Sequence, residues 1–92
     1  MNHQVSSYTV EEQLSKALTN LTIVLDTAGS LIENLLSVRI YIRGEFGEFF
    51  KDIAPILTQY LGESCPALTG ISVASLASPE TLVEVEATAA LK

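Results

Sequence analysis

From Val10 onward the apolar residues Leu14, Leu18, Leu21, Leu25 and Ala28 recur at intervals of three and four. That period puts them on one stripe of a helix. The helix opens on Thr9-Val10-Glu11-Glu12, a capping box. The Thr9 hydroxyl can accept from the Glu12 amide, and the Glu12 side chain can reach back. Gly29 ends it, because glycine tolerates the positive φ of a helix terminus. Ser30-Leu31-Ile32-Glu33 repeats the capping signature but leaves room for a single turn. The period then drops to two. Over residues 35–43, Leu36, Val38, Ile40 and Ile42 face one way, and Ser37, Arg39, Tyr41 and Arg43 face the other. Alternation with β-branched inner residues predicts a half-buried strand. Helical spacing returns from about Gly47 to Leu61, with Phe49, Phe50, Ile53, Ile56, Leu57, Tyr60 and Leu61 on the apolar face. Pro55 lies inside it and removes a backbone donor, which predicts a kink or a restart. Residues 67–76 and 81–90 read as two further strands around a turn at Pro79. Val83, Val85, Ala87 and Ala89 point inward; Leu82, Glu84, Glu86 and Thr88 point outward. Residues 1–8 read as a tail and 9–92 as a single domain of order α-β-α-β-β.

Three strands covered by two helices leave two open sheet edges and one bare face. Composition adds to that problem. Of 92 residues, 48% are hydrophobic and 17% charged, against about 25% charged in ordinary domains. A chain of this length buries only roughly 60–65% of its unfolded surface by itself. The surplus apolar area points to burial between copies, with a partner completing the sheet; an unusually greasy monomer is the alternative. The net charge is −6 and the five cations, Lys16, Arg39, Arg43, Lys51 and Lys92, are scattered. Nucleic-acid binding needs clustered cations to displace counterions, so no nucleic-acid partner is expected. The apolar runs fall short of the roughly 20 residues a bilayer requires, and no basic amphipathic face suits a membrane surface. The polar start, MNHQVSSYTVEEQ, lacks an apolar signal core. A single cysteine cannot form an internal disulfide. A cytoplasmic location is expected, with a mitochondrial one left open. His3 stands alone in the tail, and a metal site needs three or four convergent ligands. Neither a metal nor a cofactor is expected.

The stretch ESCPALTGISV, Glu63 to Val73, has the look of a site rim. It carries the lone cysteine, Cys65, then Pro66 and the hydroxyl of Thr69, but no cation and no histidine. With EEQLSKALTNLTIVLDTAG, SLIENLLSVRIYI, FGEFFKDIAPILTQYLGESCPA and LVEVEATAAL, in this order and spacing, the span from about Val10 to Leu91 resembles the reactive-intermediate (imine/enamine) deaminase family. That family is also called Rid, YjgF or L-PSP endoribonuclease. The resemblance implies an α+β, chorismate-mutase-like fold, here without the N-terminal β-hairpin, with both helices on one face of a mixed sheet. It implies homotrimers with clefts between subunits, and hydrolysis of imines or enamines such as 2-aminoacrylate to keto acids and ammonia.

The family's site residues carry over one at a time. The arginine that binds the substrate carboxylate, a natural role for a bidentate guanidinium, falls on Leu68. The hydroxyl after it is kept as Thr69. The pocket cysteine falls on Gly70. The glutamate that activates water as general acid/base matches Glu86, with Glu84 also kept. Cys65 lines the same rim, and no His or Lys lies near it in the sequence to lower its pKa. Glu86 is either a base with its pKa raised in an apolar cleft or a solvated charge on a strand face. Arg39 and Arg43 either pair with Glu84 or Glu86 across strands or line a cleft. The expected site is therefore Glu86 with Leu68, Thr69, Gly70 and Cys65, taking a small neutral, carbonyl- or imine-bearing molecule between subunits. Two alternatives stand beside it. One is an active deaminase in which Arg39 or Arg43 replaces the anchor. The other is a non-catalytic structural or regulatory subunit, possibly assembling with a full-length relative.

Overall fold

The computed structural model describes residues 9–91, so the expected tail, 1–8, lies outside the described residues. Helix α1 spans Val10–Thr27, strand β1 Leu35–Arg43, helix α2 Phe46–Leu61, strand β2 Ala67–Val73 and strand β3 Val83–Ala89. A single 3-10 turn, Ile32–Asn34, sits where the second capping signature allowed only one. The expected α-β-α-β-β order is the observed one. The capping box is complete: the Glu12 amide donates to Thr9 Oγ1 and the Thr9 amide donates to Glu12 Oε1.

The sheet has order β2-β1-β3. β1 runs parallel to β2 and antiparallel to β3. A parallel pair needs a crossover, and α2 supplies it. Both helices contribute to the core beneath Val38, Ile40 and Ile42, which are almost wholly buried, together with Leu14, Ile53 and Val83. Among the described residues the other sheet face carries no helix. The outer edges of β2 and β3 have no further strand among the described residues.

Three local expectations are corrected. Leu36 was expected on the inner face, but a register shift between Leu35 and Ser37 puts Leu35 inside and leaves Leu36 57% exposed. An extra residue in one strand breaks the two-residue period for everything before it. The second strand ends at Val73 rather than 76, and the third begins at Val83 rather than 81. Between them, Ser78 and Thr81 share a hydrogen bond of 2.7 Å that closes the turn. At Pro55 the restart that the sequence allowed does not occur, since α2 is continuous from Phe46 to Leu61. The proline is exposed, so the carbonyl that loses an intrahelical partner has water available.

One buried polar side chain ties the layers together. Gln13 of α1 donates from Nε2 to the Glu80 carbonyl at 2.9 Å and accepts from the Leu82 amide at 2.7 Å and the Val83 amide at 3.3 Å. It satisfies backbone groups at the start of β3 that strand pairing does not reach.

Candidate functional site

Strand alternation assigns each candidate residue to a face. On β2, Leu68 pairs with Val38 and Gly70 with Ile40, so both look toward the helices. Contacts agree. Leu68 lines a shallow depression of about 260 Å³ with Phe50, Ala54, Leu57 and Leu61 of α2. The Phe46 ring lies directly over Gly70. The Phe46 amide donates to Ser72 Oγ at 2.8 Å, so β2 supplies the cap that Glu45 does not. Leu68 remains 48% exposed, at the rim of this layer.

Thr69 and Glu86 belong to the opposite face. Thr69 lies beside Arg39 on one side and Glu86 lies beside it on the other, giving a row across all three strands. Arg39 Nη1 donates to Glu86 Oε1 at 2.8 Å. Tyr41, two residues along β1 on the same face, donates from its hydroxyl to the same oxygen at 3.0 Å. The hydrogen bond from Arg39 holds the Glu86 carboxyl below its ordinary pKa, and the Tyr41 hydrogen bond adds to this. Within one chain this face is open to solvent, and the little desolvation there raises the Glu86 pKa by less than the two hydrogen bonds lower it. Tyr41 shifts the other way: its bond to Glu86 stabilises the neutral phenol and pushes its pKa up.

The expected cross-strand pairing thus holds for Arg39 and not for Arg43, which donates to the Pro79 carbonyl at 2.6 Å. Glu84 is exposed on the same face, beside Tyr41. Cys65 is exposed, with Sγ 3.7 Å from the Glu63 carbonyl oxygen. It opens on a different depression from Leu68, one bordered by Ile32, Glu33 and Tyr60. The five candidates therefore fall into separate groups: Leu68 and Gly70 against α2, Thr69 and Glu86 on the bare face, and Cys65 in the loop before β2. Sequence reasoning named Arg39 but missed Tyr41 as a partner of Glu86. Its position in the strand, on the same parity as Arg39, was the available signal. Phe46 over Gly70 gave no sequence signal, since the two belong to different elements. Among the described residues no three acidic, histidine or cysteine side chains converge on a possible metal site. No described helix is long and apolar enough to cross a membrane.

An α+β layer of two helices on a mixed three-stranded sheet, with an acidic residue on the last strand, defines the class. The family model "Endoribonuclease L-PSP" matches residues 1–91. The chain belongs to this family, also known as Rid or YjgF. It is similar to a Rid-family protein of unknown function from Yersinia pestis, at 33% identity and TM-score 0.86, covering 97% of this chain and 68% of that one. A member of the YjgF/YER057c/UK114 family from Mycobacterium tuberculosis is 27% identical, with TM-score 0.83 over 91% of this chain and 70% of that one. A candidate endoribonuclease L-PSP from Entamoeba histolytica is 30% identical, with TM-score 0.83 over 94% of this chain and 66% of that one. The chain thus spans about two thirds of the length of these structures. No curated protein matches it.

Proposed function

We propose that this Rid-family chain assembles, as a trimer, and binds a small neutral, carbonyl- or imine-bearing molecule in a cleft between copies. The observation that carries this is the opposition of Leu68 and Glu86 across the sheet. Within one copy they cannot border the same cavity. A site that uses both needs two copies, with Leu68 from one and Glu86 from the other. Charge supports the bare face as the meeting surface. Arg39 and Arg43 cancel Glu84 and Glu86 there, while the chain as a whole carries −6. A copy that turns this face toward the half-exposed Leu68 edge of its neighbour brings a locally neutral surface to the contact rather than the acidic remainder. Leucine at position 68 offers apolar contact and no partner for a carboxylate, so a neutral ligand suits it better than a keto acid. If the site is catalytic, Glu86 is its general acid/base and the reaction is hydrolysis of an imine or enamine.

Two measurements test this. Light scattering on the purified chain should give the mass of three copies. Calorimetric titration should detect butanone and not 2-oxobutyrate, with Leu68→Arg reversing that order. A monomer overturns the cleft, and hydrolysis of 2-aminoacrylate at enzymatic rates overturns the neutral ligand. One observation favours the second reading, a deaminase with a replaced anchor. Arg39 lies on the same face as Glu86 and within hydrogen-bond reach of it. Loss of 2-aminoacrylate hydrolysis in Arg39→Ala would support that reading.

A further inference from the structure

We propose that Arg39 and Tyr41 are positioning residues for Glu86, and that their grip makes the site select a ligand offering an N–H donor over one offering a carboxylate. The proposal deepens the reading above and rests on Glu86 belonging to the ligand site.

The geometry is asymmetric. Glu86 Oε1 receives both donors, Arg39 Nη1 at 2.8 Å and Tyr41 Oη at 3.0 Å. Among the described residues no hydrogen bond reaches Oε2. Two donors on one oxygen fix the carboxylate plane and leave the second oxygen as a single aimed acceptor. The grip is anchored on the neighbouring strand: Arg39 is the register partner of Glu86, and Tyr41 is the partner of Glu84. The flanking residues on this face are short or apolar. Thr69 and Ile71 from β2 bring no charge, and Arg43 is engaged by the Pro79 carbonyl. The charges facing Glu86 are therefore Arg39, Glu84 and the more distant Arg43, with Tyr41 as the titratable neutral group.

This arrangement separates two kinds of ligand. An imine, amine or amide N–H can donate to Oε2 and gain a charge-assisted hydrogen bond. A carboxylate meets Glu86 and Glu84 as like charges, and the guanidinium it would need is already paired with Glu86. The depressed Glu86 pKa fits the same picture. The side chain stays ionised at neutral pH and acts as a fixed acceptor.

The test uses the whole chain and an isosteric pair of probes, propionamide and propionate. The Glu86 side-chain carboxyl carbon is followed by NMR in wild type, Tyr41→Phe, Arg39→Gln and Arg39→Lys. The expected result is an upward move of the Glu86 titration midpoint in Tyr41→Phe and in Arg39→Gln, with partial return in Arg39→Lys. Propionamide should shift the Glu86 resonance, and propionate should bind at least about tenfold more weakly, the scale of one charge-assisted hydrogen bond. Titration at the wild-type midpoint in both Tyr41→Phe and Arg39→Gln overturns the positioning role. Propionate binding that equals propionamide binding and disappears in Arg39→Gln overturns the selectivity and makes Arg39 an anchor. Failure here is separable from failure of the cleft. A monomer whose Glu86 midpoint responds as expected keeps the grip and loses the cleft; a trimer whose midpoint is indifferent does the reverse.

Discussion

The ring of Phe46 occupies the space in which a side chain at position 70 would lie. A Cβ built on Gly70 would come within 2.7 Å of three ring carbons. The Phe46 amide is bonded to Ser72 Oγ on the same strand, which holds the start of α2 against β2, so any relief must come from turning the ring itself. The glycine and the phenylalanine therefore form one packing unit.

Gly70→Ala should destabilise the chain by about 1–3 kcal/mol, the usual cost of overpacking. Phe46→Leu in the Gly70→Ala background should recover part of that loss, because a smaller, flexible side chain vacates the contested volume. Denaturant midpoints of the two single variants and the double variant check this. Strictly additive losses would mean that the two residues do not act together.

Gln13→Ala should cost about 2 kcal/mol or more. It strands backbone groups of Glu80, Leu82 and Val83 in a partly buried corner, and unsatisfied groups there carry a full desolvation penalty. Chemical denaturation gives the magnitude. Amide exchange at Leu82 and Val83 should quicken, and unchanged exchange there would contradict the role assigned to Gln13.

Leu68→Arg should be nearly neutral for stability, within about 0.5 kcal/mol, since the side chain is half exposed at a rim. Its effect should instead be on ligand preference, adding affinity for small carboxylates. A large loss of stability would mean that Leu68 is a core residue rather than part of a site.

The Glu86 and Tyr41 shifts predict opposite pH behaviour. Glu86 is depressed in the folded chain, so its contribution to stability is present above the ordinary glutamate range and is lost as pH falls through the folded value. Tyr41 is raised above its ordinary value of 10.0, so its contribution is present below that value and is lost as pH rises through the folded one. Tyrosinate absorbance in an alkaline titration should reveal a late-ionising tyrosine. Glu86→Gln should remove the delay, because the charge that resists phenolate formation is gone; a delay that survives would point to another cause.

Periodicity in the sequence determined the element order, the Thr9–Glu12 cap, the stripe Leu14–Leu18–Leu25 and the inner face Val38–Ile40–Ile42. Each is a local matter, decided by which residues share a stripe or a strand face. The family match was legible for the same reason, since order and spacing are properties of the chain. The register shift at Leu35 and Leu36 was not legible, because a bulge arises from pairing between strands. Nor were the site's true groupings. The family resemblance put Leu68, Thr69 and Gly70 in one site, whereas the pleat of β2 sends Thr69 to the face opposite Leu68 and Gly70. Phe46 over Gly70, Tyr41 on Glu86, and Gln13 at the start of β3 join residues from 2 different elements each. Such contacts depend on how layers stack and strands align, and only the tertiary structure decided them.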